Sequence, residues 1–148
     1  MKKNLKNLER IMYGHNYEVH FGVEFIDNCE TLNEVCNKLC IKYADTRFCE
    51  IQPESINETF LWESIRYGFA YRGDNAAGLV LNDETEKKLL AESKKYESFL
   101  RQYLTNTTEI LRYAEDSGVP YMFVFWGYSF VLFNPNRESL FIYGLSSD

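Results

Sequence analysis

The sequence predicts an α+β fold: a mostly antiparallel sheet of four to six strands, including a C-terminal three-stranded meander, packed against amphipathic helices. Three observations predict it. The stretch NYEVHFGVEF at 16–25 alternates apolar and polar residues strictly. Several segments carry apolar residues at helical spacing. Finally, the aromatic run at 117–145 is cut into strand-sized pieces by Gly127, Pro135 and Gly144. With 148 residues and no repeat or linker, the expectation is one domain over 1–148.

Taken in order, Asn4–Met12 predicts a short helix with Leu5, Leu8, Ile11 and Met12 on one side, ended by Gly14. In the strand that follows, Tyr17, Val19, Phe21, Val23 and Phe25 share one face, which should be core. Glu18, His20, Gly22 and Glu24 share the other, which should be wet. Glu30–Ala44 is helical, with Cys36 and Cys40 four apart among Leu32, Val35, Leu39 and Tyr43. TRFCEIQ at 46–52 predicts a second strand, closed by Pro53. Ser55 and Glu58 have capping-box spacing, so a helix should follow and stop at Gly68.

The glycine-rich segment 68–81 predicts a loop with a short strand at Leu79–Leu81. Asn82 or Asp83 caps a long charged helix whose stripe is Leu89, Leu90, Tyr96, Phe99, Leu100, Tyr103 and Leu104. TNTTE at 105–109 then breaks or re-caps it before a last helical piece to Asp116. Tyr121–Trp126 and Ser129–Phe133 flank Gly127-Tyr128, a glycine-first pair that suits a hairpin turn. Asn134-Pro135-Asn136-Arg137 supplies a second turn, and Glu138–Gly144 returns as the third strand. Strands 121–126 and 129–133 are apolar on both faces, so the meander belongs at the sheet centre. That run has too many breaks for a membrane helix, which needs about 20 apolar residues.

Charge and composition narrow the function classes. A net charge of -6 argues against a duplex-DNA binder, whose affinity depends on clustered Lys and Arg. The N-terminus has lysines but no apolar h-region after them, so the expected location is cytoplasmic. The four cysteines, Cys29, Cys36, Cys40 and Cys49, are then expected as free thiols that hold no metal. In the same compartment the sequons at Asn57 and Asn106 and the Arg-Gly-Asp at 72–74 carry no extracellular meaning.

No nucleophile elbow, P-loop or dinucleotide fingerprint appears, so neither a catalytic residue nor a cofactor is expected. YGHNYEV at 13–19 resembles the metal-binding strand of pyruvoyl-tetrahydropterin synthases, where a His-x-His pair followed by Asn-Tyr opens a strand and an upstream His completes a zinc site. His15 matches the second histidine of the pair. Tyr13 stands in place of the first, and no histidine precedes it. One imidazole does not hold zinc, so the resemblance implies no metal here.

The segment RYGFAYRGDNAAG at 66–78 is the best candidate for contact with a partner. Its Arg66, Tyr67, Tyr71, Arg72, Asp74 and Asn75 are of types favoured in binding loops. The competing explanation is that its aromatics pin the segment to the core while the arginines lie along the surface. Glu18 and Glu24, on the wet face of the strand, are the candidate electrostatic contacts. Together these features predict a non-enzymatic protein-binding domain, most concretely a bacterial immunity or antitoxin protein that occludes a basic toxin. The alternative is a small enzyme or ligand-binding domain with its site between the sheet and the 66–78 segment.

Overall fold

The structure, a computed structural model, describes residues 1–43, 52–73, 79–114, 125–135 and 137–147. Its strands are β1 (Glu18–Cys29), β2 (Glu54–Ile56), β3 (Glu109–Arg112), β4 (Gly127–Phe133) and β5 (Arg137–Ser147). They form one antiparallel sheet in the order β1-β5-β4-β3-β2. Helices α1 (Lys2–Ile11), α3 (Glu58–Ala70) and α4 (Asp83–Leu104) pack on one face of it, and α2 (Leu32–Lys42) packs on the other. The fold is α+β.

The aromatic C-terminal run is core. Every residue from Tyr128 to Leu132 is buried, as its apolar character on both faces requires. Tyr128, Phe130 and Leu132 meet Leu8 of α1, Leu61 and Ile65 of α3, and Tyr96 and Leu100 of α4. Val131 and Phe141 meet Val35, Cys36 and Leu39 of α2 instead. The expected turn after Phe133 is present, with Ser139 Oγ accepting from Asn134 N at 3.0 Å.

Several expectations are corrected. Gly127-Tyr128 is not a turn but the start of β4, whose other neighbour is β3. Of the expected strand 121–126, Phe125 and Trp126 precede β4 without strand structure, and 121–124 lie outside the described residues. The expected helical piece after Thr105 is strand at Glu109–Arg112, because Ile110 and Leu111 pack on opposite faces of the sheet. Ser55 sits inside β2, opposite Leu111. The cap of α3 is Asn57, which accepts from Phe60 N at 2.8 Å. Most of the strand expected at 46–52 lies outside the described residues, and Leu79–Leu81 forms no strand. Gly68 does not end α3: a Cβ there would stand 2.8 Å from the buried Trp126 ring, so its job is close approach.

The alternation in β1 holds for Tyr17, Val19 and Phe21, which are buried, and for the half-buried Val23. It then yields to α2, which covers this end of the opposite face. Glu24 accepts from Lys42 Nζ and, at 2.8 Å, from Tyr43 Oη, and Ile26 is buried beneath α2. Phe25 is 48% exposed, resting against Phe99 and Tyr103 of α4. A register shift between Ile26 and Cys29, with Asn28 at φ 56°, ends the strand, and Thr31 caps α2. Gly22 and Gly144 lie opposite Tyr143 and Tyr128, whose rings fill the places of the missing side chains. The Tyr128 and Tyr96 hydroxyls are buried beside each other, and burial holds both well above the ordinary phenol range.

Asn82 caps α4 as expected, with Thr85 completing a capping box, but Leu90 of the expected stripe is exposed. A polar clasp fixes α1 against α4. Asn4 Nδ2 donates to the Glu92 carbonyl oxygen at 3.0 Å and to Glu92 Oε2 at 2.7 Å, and Asn7 Nδ2 reaches Oε2 at 3.3 Å. Lys95 also donates to Glu92, and these donors, Lys95 and then Asn4 foremost, hold its carboxyl below the ordinary carboxylate range.

Two stability predictions follow from this packing. Gly68→Ala should destabilise by about 1–3 kcal/mol in a denaturant titration, since overpacking against Trp126 outweighs the helix propensity gained. Glu92→Gln should cost about 1–3 kcal/mol at neutral pH. A depressed carboxylate contributes stability above its unfolded pKa and loses it as pH falls through the folded one. The wild-type advantage should therefore shrink below the ordinary carboxylate range, and melts at pH 7 and pH 3 measure it.

Candidate functional site

The C-terminal turn of α3 places Tyr67 and Tyr71 four residues apart, on one side of the helix. Tyr71 stacks on Tyr17, just before β1, with centroids 5.9 Å apart and planes at 28°. Phe125 closes a triangle, 5.6 Å from Tyr17 and 5.7 Å from Tyr71. Below it, Trp126 Nε1 donates to Tyr17 Oη at 2.8 Å. Above it, Tyr67 lies 6.1 Å from Tyr71 and is 58% exposed. The rings form a continuous row from the core to solvent. Burial pushes the Tyr17 phenol up to about 12, against the lowering effect of the Trp126 hydrogen bond.

Both arginines of the candidate segment are held from within the chain. Arg72 grips Glu86 of α4 through Nε and Nη2 at 3.2 and 3.1 Å. Its Nη1 donates to the carbonyls of Phe69 and Tyr71 at 2.7 and 3.2 Å, closing the end of α3. Arg66 grips Glu97 at 3.2 and 3.1 Å, and that contact raises its pKa further. Arg66 and Arg101 both lie over the Trp62 ring, at 5.7 and 4.5 Å from its centroid. Arg66 and Arg72 thus tie α3 and the residues just after it to α4. Asp74 and Asn75 lie outside the described residues.

Glu18 and Glu24 share a face of β1 but not a patch. Six residues of strand put them about 20 Å apart, and Glu24 is engaged by α2. The Glu18 side chain is 49% exposed, with Oε2 3.7 Å from His20 Nε2. Glu18 lines an open groove of about 430 Å³ between α1 and β1, together with Glu9, Arg10, Tyr13, Val19 and His20. Tyr13 is 62% exposed on its rim, and Glu9 Oε1 accepts from Phe21 N at 2.9 Å.

Sequence reasoning missed Glu9 and Tyr13. The alternation in β1 assigns faces to its residues, but nothing local says that β1 is an edge strand with α1 alongside. Among the described residues, no three His, Cys, Asp or Glu side chains gather as a metal site. Cys29 and Cys36 are free thiols, and Cys36 Sγ accepts from Tyr113 Oη at 3.3 Å while burial raises its thiol pKa. Cys49 lies outside the described residues.

No protein-family model and no curated protein matches the sequence. Among solved structures, a crystal structure of citrus MAF1 in space group P 31 2 1 is 17% identical, covering 97% of this chain and 98% of that one, with a TM-score of 0.40. A second citrus MAF1 crystal structure, in space group C 2 2 21, is 12% identical over 97% and 98% of the two chains, with a TM-score of 0.41. Likeness at this level carries no argument about fold or function.

Tyr17→Phe should leave the buried Trp126 indole N–H without its acceptor and destabilise by about 1–3 kcal/mol. A raised phenol contributes stability below its unfolded pKa and loses it as pH rises through the folded one. The wild-type protein should therefore lose stability between about pH 10, the ordinary phenol value, and about 12. Tryptophan-monitored unfolding of both proteins across that window tests it, and Tyr17→Phe should lack this component.

Proposed function

We propose that the chain is a non-enzymatic binding protein that covers a basic protein partner, most concretely a bacterial immunity or antitoxin protein that neutralises a toxin by contact. The observation that carries this reading is the aromatic row ending in exposed Tyr67. Its side chains are pre-ordered by Tyr71, Tyr17 and Trp126, so little rotamer freedom remains to be lost on binding. Arg66 and Arg72 hold α3, which carries Tyr67, against α4 through their glutamates. Exposed Tyr13 and Glu18 flank the neighbouring groove. A net charge of -6 favours rapid capture of a basic protein over binding to duplex DNA.

No cofactor, membrane contact or catalytic residue enters this reading, and it places the protein in the cytoplasm. None of the described helices is long and apolar enough to cross a membrane. The second reading, a small enzyme or ligand-binding domain, is favoured by the α1–β1 groove. The rings of Tyr17, Tyr71 and Phe125 contact one another beside the described part of the 66–78 segment, and residues 74–78 of that expected site lie outside the described residues.

Binding kinetics against the protein encoded next to this one, at two salt concentrations, test the proposal. Glu18→Lys should slow association severalfold and flatten its salt dependence. Tyr67→Ala should speed dissociation about tenfold, because anchors act after encounter. Association indifferent both to salt and to Glu18 would contradict electrostatic capture. A small molecule retained in the α1–β1 groove through purification would favour the second reading.

A further inference from the structure

We infer that the outer edge of β1 is a docking strand, on which an extended, basic segment of a protein partner adds to the sheet. The inference rests on the binding-protein reading and names the surface and the kind of segment it takes. Among the described residues β1 pairs with β5 on one side only, and at the far edge of the sheet β2 has three residues against the twelve of β1. The orientation of its backbone follows from two bonds. Phe21 N donates outward to Glu9, and Tyr17 O accepts outward from Gly14 N at 2.7 Å.

In an antiparallel ladder the N–H and C=O of one residue point the same way, and alternate residues share that direction. By this alternation the backbone groups of Val19, Val23 and Phe25 point to the same side as those of Phe21; Val19 is itself buried, so the accessible stretch is Val23–Phe25. A carboxylate on the Phe21 amide is a known kind of cover for a sheet edge. It satisfies one donor, and the stretch beyond it, at half-buried Val23 and exposed Phe25, is left for strand addition.

Charge selects the occupant. Glu9 and Glu18 line the groove beside this edge, with Arg10 as the fixed cation and His20 next to Glu18. No cation pairs with Glu9 among the described residues, so a lysine or arginine on the incoming strand gains a partner there. Farther along, exposed Phe25 offers a flat apolar contact for an alternate side chain of the same strand.

The test uses two blocked seven-residue peptides, one of alternating lysine and valine and one of alternating glutamate and valine. Amide NMR on the full chain should show the lysine peptide slowing exchange at Val23 and Phe25. The glutamate peptide should bind at least tenfold more weakly. Val23→Pro removes an outward N–H while leaving the β1–β5 ladder intact, and should weaken the lysine peptide at least tenfold. If that variant does not fold, Glu9→Lys places a cation on the edge and should abolish peptide binding.

Unchanged binding by a folded Val23→Pro, binding at another surface, or no binding of the lysine peptide would overturn the inference. So would self-association of the free protein along β1, which would make a second copy the occupant. Loss of neutralisation with peptide binding intact would count against the proposed function alone. Peptide failure with the neighbouring protein still bound would count against the edge alone.

Discussion

The pairing of β4 with β5 is the constraint from which the rest of the structure is built. Phe130 lies opposite Ile142, Val131 opposite Phe141, and Leu132 opposite Leu140, so the pair is apolar on both faces along its length. Fully burying each such side chain contributes about 1.5–3 kcal/mol before entropy. Neither face can be left to water. One is therefore covered by α1, α3 and α4 and the other by α2, while β1 and β3 must be the flanking strands. Placing β1 outside β5 leaves it, among the described residues, a long strand paired along one side.

Much of this was legible because burial leaves a periodic mark. The helical stripe Val35-Cys36-Leu39 and the alternation from Tyr17 to Val23 each report one covered face. What was not legible depends on which element arrives from elsewhere. Gly68 and Gly127 look like a helix stop and a hairpin turn in isolation. Gly68 in fact accommodates Trp126, and Gly127 opens a strand that pairs with both β3 and β5. Glu109–Arg112 is too short to show a period, so its strand character comes from its neighbours. Phe25, expected in the core, is exposed and Ile26 beside it is buried, because α2 lies over one end of the sheet.

The candidate surface divides along the same line. Tyr67, Tyr71, Arg66 and Arg72 are close in sequence, so their grouping could be read directly. Their partners could not: Glu86 and Glu97 come from α4, and Tyr17 comes from the start of β1. Those partners change the meaning of the residues. The arginines hold two helices together, and the tyrosines become the outer members of an ordered row. Glu18 keeps an exposed position beside α1, whereas Glu24 is drawn into the packing of α2. The ring row and the α1–β1 groove are each held in place by contacts within the chain.

Hydrogen exchange of the free protein, resolved amide by amide, tests this architecture most directly. The inward amides of His20, Gly22 and Glu24 should exchange slowly, as should those throughout β4 and β5. Phe21 should be slowed by Glu9, while Val23 and Phe25 exchange orders of magnitude faster than their neighbours. Equal protection of Val23, Gly22, Glu24 and Phe25 would mean that both sides of β1 are paired, and the open edge would not exist.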